Sequence, residues 1–190
     1  MQRELRTLNL DEYHRLIEID FFCPDERVEL IDGFLFTNNP VSPRKRACRH
    51  RLMRLLQSEL RQRAQVLMKS PITLPNSNSE PEPDIVVVQA RGDEYANQHP
   101  SANDIFLVVE VSRSILESDR DMKYQLYARE SIAEYWILNL VDDLLEVHQG
   151  PYVDSTGVAG YRMKQTFDRN ERISPLVFSG CQILVDEMFP

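Results

Sequence analysis

Apolar residues recur along the chain with two periods, and the switches between them mark its elements. Tyr13, Leu16 and Ile17 follow Asn9-Leu10-Asp11-Glu12 at helical spacing, which reads as a helix start, with Pro24 placed after the helix ends. Next comes RVELI-DG-FLF, residues 27–36. Two apolar arms flank Asp32-Gly33, and because both central positions of the tightest hairpin turn take positive φ, this predicts a hairpin with Glu29 on its first arm. From about Arg44 to Gln65, Cys48, Leu52, Leu55, Leu56 and Leu60 form one helical stripe. Val66–Leu74 reads as a strand, and PNSNSEPEP (75–83) as a loop rich in breakers. Asp84 opens a β-branched strand, residues 91–104 are polar and loop-like, and Ile105–Val111 is a second buried strand. Ser118 or Asp119 can cap a helix over about Arg120–Arg129. A strand at Glu134–Leu140, a turn at Asp142-Asp143 and a strand at Leu144–His148 follow, with Tyr161–Phe167 and Leu176–Asp186 as further strands or extended edges. This order predicts a mixed α/β (α+β) sheet with helices packed on it.

The chain has 190 residues, 42% of them apolar, which suits one domain over 1–190 with its own core. Its longest apolar runs, Ile105–Val109 and Ile85–Val88, fall far short of the roughly 20 residues a membrane-spanning helix needs. The charged N-terminal stretch lacks the apolar middle of a signal peptide, so a cytoplasmic protein without membrane contact is expected. Cys23, Cys48 and Cys181 are odd in number and far apart, and the four histidines are scattered, so neither a disulfide framework nor a zinc site is suggested. The net charge of −8 opposes loose binding to nucleic acid, but its distribution matters more. Arg44–Arg63 holds eight Lys/Arg and one acid, Glu59, so it carries +7 and the rest of the chain −15. That basic helix is either a solvated face or a face that meets phosphates.

Glu110 is the most informative residue. It follows five apolar residues in a strand that should be buried, and a buried carboxylate is costly unless it is paired or binds a cation. It either pairs with Arg113 or a neighbour, or acts as a metal ligand or general base. Asp84 opens the other buried strand; adjacent strands could bring both acids within about 2.0–2.6 Å of one hard cation such as Mg²⁺. Lys123 lies 13 residues after Glu110 in the first turns of the next helix, either solvated or placed to orient water and offset transition-state charge. Asp119 and Asp121 flank that helix start and suit capping.

The segments V28-E-L-I-D-G33, P83-D-I-V-V-V88, L107-V-V-E-V-S112, D119-x-x-x-K123, Y127-A-R129 and E134-Y-W-I137, taken in order, resemble the Uma-type family of restriction endonucleases, formerly a domain of unknown function. The resemblance runs from about residue 10 to the C-terminus. It implies a restriction-endonuclease-like sheet core of the PD-(D/E)XK superfamily, in which an Asp and a Glu on neighbouring strands bind Mg²⁺ (or Mn²⁺) and a lysine assists the attacking water. Mapped residue by residue, these are Asp84, Glu110 and Lys123. The usual lysine position, two residues after the Glu, is Ser112 here. Glu29 matches a further acidic position, and the main-chain carbonyl of Val111 is an implied third ligand. Where the family usually has Gly after the lysine helix, this chain has Ser131, at a cost of about 1 kcal/mol if the backbone there is left-handed. Arg113 stands where smaller or acidic residues are common.

The leading expectation is metal-dependent hydrolysis of DNA phosphodiesters, with Arg44, Lys45, Arg46, Arg49, His50 and Arg113 contacting the backbone and a homodimer implied by the resemblance. The alternative is a catalytically inactive module of the same fold that binds nucleic acid or a protein. A two-carboxylate glycosidase ranks below both, because the single Trp, Trp136, sits in an apolar strand and supplies no sugar platform.

Overall fold

A computed structural model describes residues 5–23, 26–37, 41–113 and 117–190, the side chains of 117–120 excepted. Pro24 and the capping side chains of Ser118 and Asp119 lie outside this description. Helix α1 (Leu10–Glu18) starts at Asn9, whose side chain accepts from Glu12 N while Glu12 reaches back to Asn9 N, a reciprocal cap. Strands β1 (Val28–Ile31) and β2 (Phe34–Thr37) form the predicted hairpin, with Asp32 at φ 50° and Gly33 at φ 80°.

Helix α2 (Pro43–Leu60) begins with Ser42 as cap. It stops short of Gln65 because Arg61 turns left-handed (φ 52°), and Ala64 and Gln65 pass into β3 (Ala64–Met68). The strand expected to run to Leu74 ends at Met68 for the same kind of reason: Lys69 is left-handed at φ 52° and Pro71 follows. Then come β4 (Ile85–Gln89), β5 (Ile105–Ser112), α3 (Glu117–Arg129), β6 (Glu134–Asn139), β7 (Leu144–Val153) and β8 (Ala159–Phe167). The tail, expected to give further strands or extended edges over Leu176–Asp186, is a strand there only at Ile183–Leu184. Two-residue strands β9 (Arg172–Ile173) and β10 (Ile183–Leu184) alternate with 3-10 turns, which let Val185, Met188 and Phe189 fold back under α2.

Six strands form one sheet in the order β3-β4-β5-β6-β7-β8. Every neighbouring pair is antiparallel except β5–β6, which α3 connects as a crossover. Over β4, β5 and β6 both faces are buried, which explains the near-continuous apolar runs of β4 and β5, whereas much of β8 is exposed. Ile85, Val87, Val109, Val111 and Trp136 pack with the Leu52–Leu56–Leu60 stripe of α2. Val86, Val88, Val108, Tyr135 and Ile137 pack with Leu126, Tyr127 and Ala128 of α3 and with Ile31 of the hairpin. By alternation Glu110 belongs to the α3 face. No helix among the described residues is long and apolar enough to cross a membrane.

Candidate active site

The antiparallel register of β4 on β5 pairs Ile85 with Val109. Extending that register by one residue sets Asp84 across from Glu110, and the two are near enough for the charge of Asp84 to raise the Glu110 pKa. Asp84 is fully buried. Its Oδ2 accepts from Lys45 Nζ at 2.8 Å and from the Val111 N–H at 2.8 Å. Its Oδ1 faces Arg49 Nη1 at 3.3 Å and Lys69 Nζ at 3.4 Å. Burial alone would raise the Asp84 pKa, but Lys45 and Lys69, helped by the Val111 N–H, outweigh it and hold the carboxyl well below the usual carboxylate range.

Glu110 has different company. Lys123 Nζ lies 3.0 Å from its Oε1, and the Tyr127 hydroxyl donates to the same oxygen at 3.1 Å. Lys123 and Tyr127 are four residues apart on α3, so they share a helix face. Lys123 also lies 3.0 Å from Glu29 Oε2, which the β1 arm of the hairpin brings in, and the Glu29 side chain is only 3% exposed. Burial pushes the Glu110 pKa up; Lys123 opposes this and the charge of Asp84 adds to it, leaving the carboxyl above its ordinary value. Burial by itself would lower Lys123, but Glu110 and Glu29 outweigh it, so the ammonium stays protonated.

Of the partners open to Glu110 from the sequence, Arg113 or a neighbour, the described contacts are with the neighbours Lys123 and Tyr127; Arg113 is exposed just beyond the end of β5. Of the basic residues expected to meet a nucleic acid, Lys45 and Arg49 turn inward to Asp84, whereas Arg46 and His50 are exposed. Arg44 is bonded to the Leu140 carbonyl at 3.0 Å and to Asp143, which fastens the start of α2 to the β6–β7 turn. Asp121 is exposed.

Sequence reasoning passed over two residues. Tyr127 stood in a noted motif without a role, and only the i, i+4 spacing to Lys123 could have pointed to it. Lys69 carried no signal, since a lysine after a strand is ordinary; its left-handed backbone and its contact with Asp84 are tertiary facts.

Among the described residues no group of three or more His, Cys, Asp or Glu is arranged to hold a metal ion. The two oxygen donors Asp84 and Glu110 nevertheless suit a hard divalent ion that keeps most of its waters. Both described donors to Glu110 engage Oε1, leaving Oε2 without a donor among the described residues.

The fold has a solved relative. The crystal structure described as a "putative nuclease belonging to DUF820" from Anabaena variabilis matches with a TM-score of 0.74, covering 96% of this chain and 97% of that one at 14% identity. At that identity the likeness establishes the fold. No match is found among curated protein sequences. The profile of the Uma2 family, described as "Putative restriction endonuclease", matches residues 10–186. A match over nearly the whole chain, on a nuclease-like fold, makes this protein a member of the Uma2 family.

Proposed function

We propose that the protein is a metal-dependent endonuclease that hydrolyses DNA phosphodiester bonds through a PD-(D/E)XK-type site. The observation that supports this reading is the register of adjacent strands that sets Asp84 across from Glu110, with the Lys123 ammonium 3.0 Å from Glu110. Asp84, Glu110 and the main-chain carbonyl of Val111 would hold Mg²⁺ or Mn²⁺. When bound, such an ion lowers the pKa of water and neutralises charge on the phosphate.

The chain's own residues divide the remaining work. Lys123, kept protonated by Glu110 and Glu29, acts as a donor and not as a base: it orients the attacking water and offsets charge building on the phosphoryl oxygens. Tyr127 and Lys123 together fix one oxygen of Glu110, which aims the other. Glu29 holds Lys123 from the hairpin side. Lys45 and Arg49 put positive charge beside Asp84, and Arg46, His50 and Arg113 are exposed and open to contact with a DNA backbone. A homodimer would supply a second site for the opposite strand.

The test is cleavage of supercoiled plasmid with Mg²⁺ or Mn²⁺. Nicked and linear products are expected from the wild type and none from Asp84→Asn, Glu110→Gln or Lys123→Met. If the folded wild type retains DNA without cutting it under any divalent ion, the protein is instead a binding module of this fold.

A further inference from the structure

The two acids of the site sit in surroundings of opposite sign. Among the described residues, Glu110 forms a group of two carboxylates, itself and Glu29, with the Lys123 ammonium between them. Around Asp84 there are three cations, Lys45, Arg49 and Lys69, and both carboxylate oxygens are occupied by them. A further acid, Glu82, is shared between Lys69 at 3.6 Å and Arg27 at 3.5 Å. One detail leaves room for a further acceptor in this cationic half. The Arg49 side chain is 10% exposed, and its Nε is buried without an acceptor among the described residues, although a guanidinium has five donors to satisfy.

We propose that Lys45, Arg49 and Lys69 form a phosphate subsite directly against Asp84, and that the same cations close Asp84 to a divalent ion until a phosphodiester draws them away. The inference rests on the nuclease reading above and adds a consequence to it: metal and nucleic acid bind with positive coupling. A phosphate oxygen replaces Asp84 as the acceptor for the lysines and supplies the acceptor that Arg49 Nε lacks. Freed of its cations, Asp84 becomes available as a ligand. By linkage, whatever the phosphate does for the ion the ion does for the phosphate, to the same factor. The design favours a site that takes up its metal on the substrate, and not before it.

Calorimetric titration with Ca²⁺, used in place of Mg²⁺ so that DNA stays intact, tests this with a short DNA duplex as probe. For the wild type, Ca²⁺ is expected to bind about tenfold or more tightly when the duplex is present, within the usual range of coupling between sites. Direct contact between phosphate and ion would also give coupling, so the deciding measurement is Ca²⁺ alone. Lys69→Gln and Lys45→Gln are each expected to bind Ca²⁺ alone about fivefold or more tightly than wild type, to bind the duplex more weakly and to lose most of the coupling. Arg54→Gln removes an exposed charge from α2 outside the Asp84 cluster and is expected to leave Ca²⁺ affinity within about twofold, since exposed charges are screened. Thermal melts confirm that each variant is folded, and Lys69→Arg should keep wild-type behaviour. Lysine variants that bind Ca²⁺ no better than wild type, or only as much better as Arg54→Gln, overturn the proposal and leave the nuclease reading standing. A wild type that binds no Ca²⁺ with or without duplex overturns both.

Discussion

Asp84 and Glu110 lie side by side at one end of the sheet, yet their surroundings have pushed them in opposite directions. Asp84 is held by α2 and the end of β3, with three cations and a backbone N–H on two oxygens, and stays ionised far into the acid range. Glu110 is held by α3 and the hairpin, with one shared ammonium and a phenol, and burial raises its pKa. Two carboxylates of the same site are thus a structural anion and a reluctant one. The lesson is that distance to a partner does not decide a buried charge; the balance of partners against desolvation does.

The comparison is broken most severely by removing either charge and assaying cleavage. Asp84→Asn and Glu110→Gln should each lower plasmid cutting about a thousandfold or more, given the several kcal/mol that divalent-ion chemistry contributes. Their stabilities should differ. Asp84→Asn strands three cations around a neutral group and should cost about 3–5 kcal/mol in urea denaturation, as is usual when one partner of a buried ion cluster is lost. Glu110→Gln removes one of the two carboxylates that hold Lys123 but also relieves the desolvation that opposes the charge of Glu110, so its loss should be smaller, about 1–3 kcal/mol. Equal losses would show that the two halves are not distinct.

The pH dependence sharpens the contrast. Asp84 has a folded pKa below its ordinary 3.8, so its contribution to stability is present above that value and is lost as pH falls through the lower folded pKa. The gap in stability between wild type and Asp84→Asn should therefore be full near neutrality and close only in strong acid. Glu110 has the opposite sign: its folded pKa lies above the ordinary 4.5, so its favourable contribution is present below 4.5 and is lost as pH rises through the folded value. Wild type should lose ground to Glu110→Gln over that rise. Urea midpoints across the pH range for the three proteins check both signs.

Smaller effects test how Glu110 is aimed. Tyr127→Phe removes one of two donors to Oε1 and should lower cleavage about tenfold, consistent with loss of a hydrogen bond to a charged group, while leaving the fold intact by circular dichroism. Ser131→Gly lies outside both halves. Ser131 is left-handed at φ 60° where α3 ends, with its N–H on the Ala128 carbonyl at 3.0 Å, so glycine should add up to about 1 kcal/mol in urea denaturation without altering cleavage.

Local elements were legible wherever the signal is local. Asp32-Gly33 specified its turn because both positions need positive φ, and Asn9 with Glu12 specified the start of α1 because the two groups cap each other. The Cys48–Leu60 stripe marked the buried face of α2. Boundaries moved where a left-handed residue with no glycine to announce it ended an element, at Arg61 and Lys69, and in the tail, where 3-10 turns leave only short strands.

Of the candidate site, the sequence by itself determined which acids stand in buried strands, because a charge after a long apolar run is conspicuous, and which lysine shares the next helix. Only the tertiary structure decided that Asp84 faces Glu110, that Lys45 and Arg49 turn inward while Arg46 and His50 stay outside, and that Lys69 and Tyr127 belong to the site. The physical reason is that strand register, helix docking and a left-handed residue bring together groups far apart in sequence, and the energy of a buried charge depends on that whole set of neighbours.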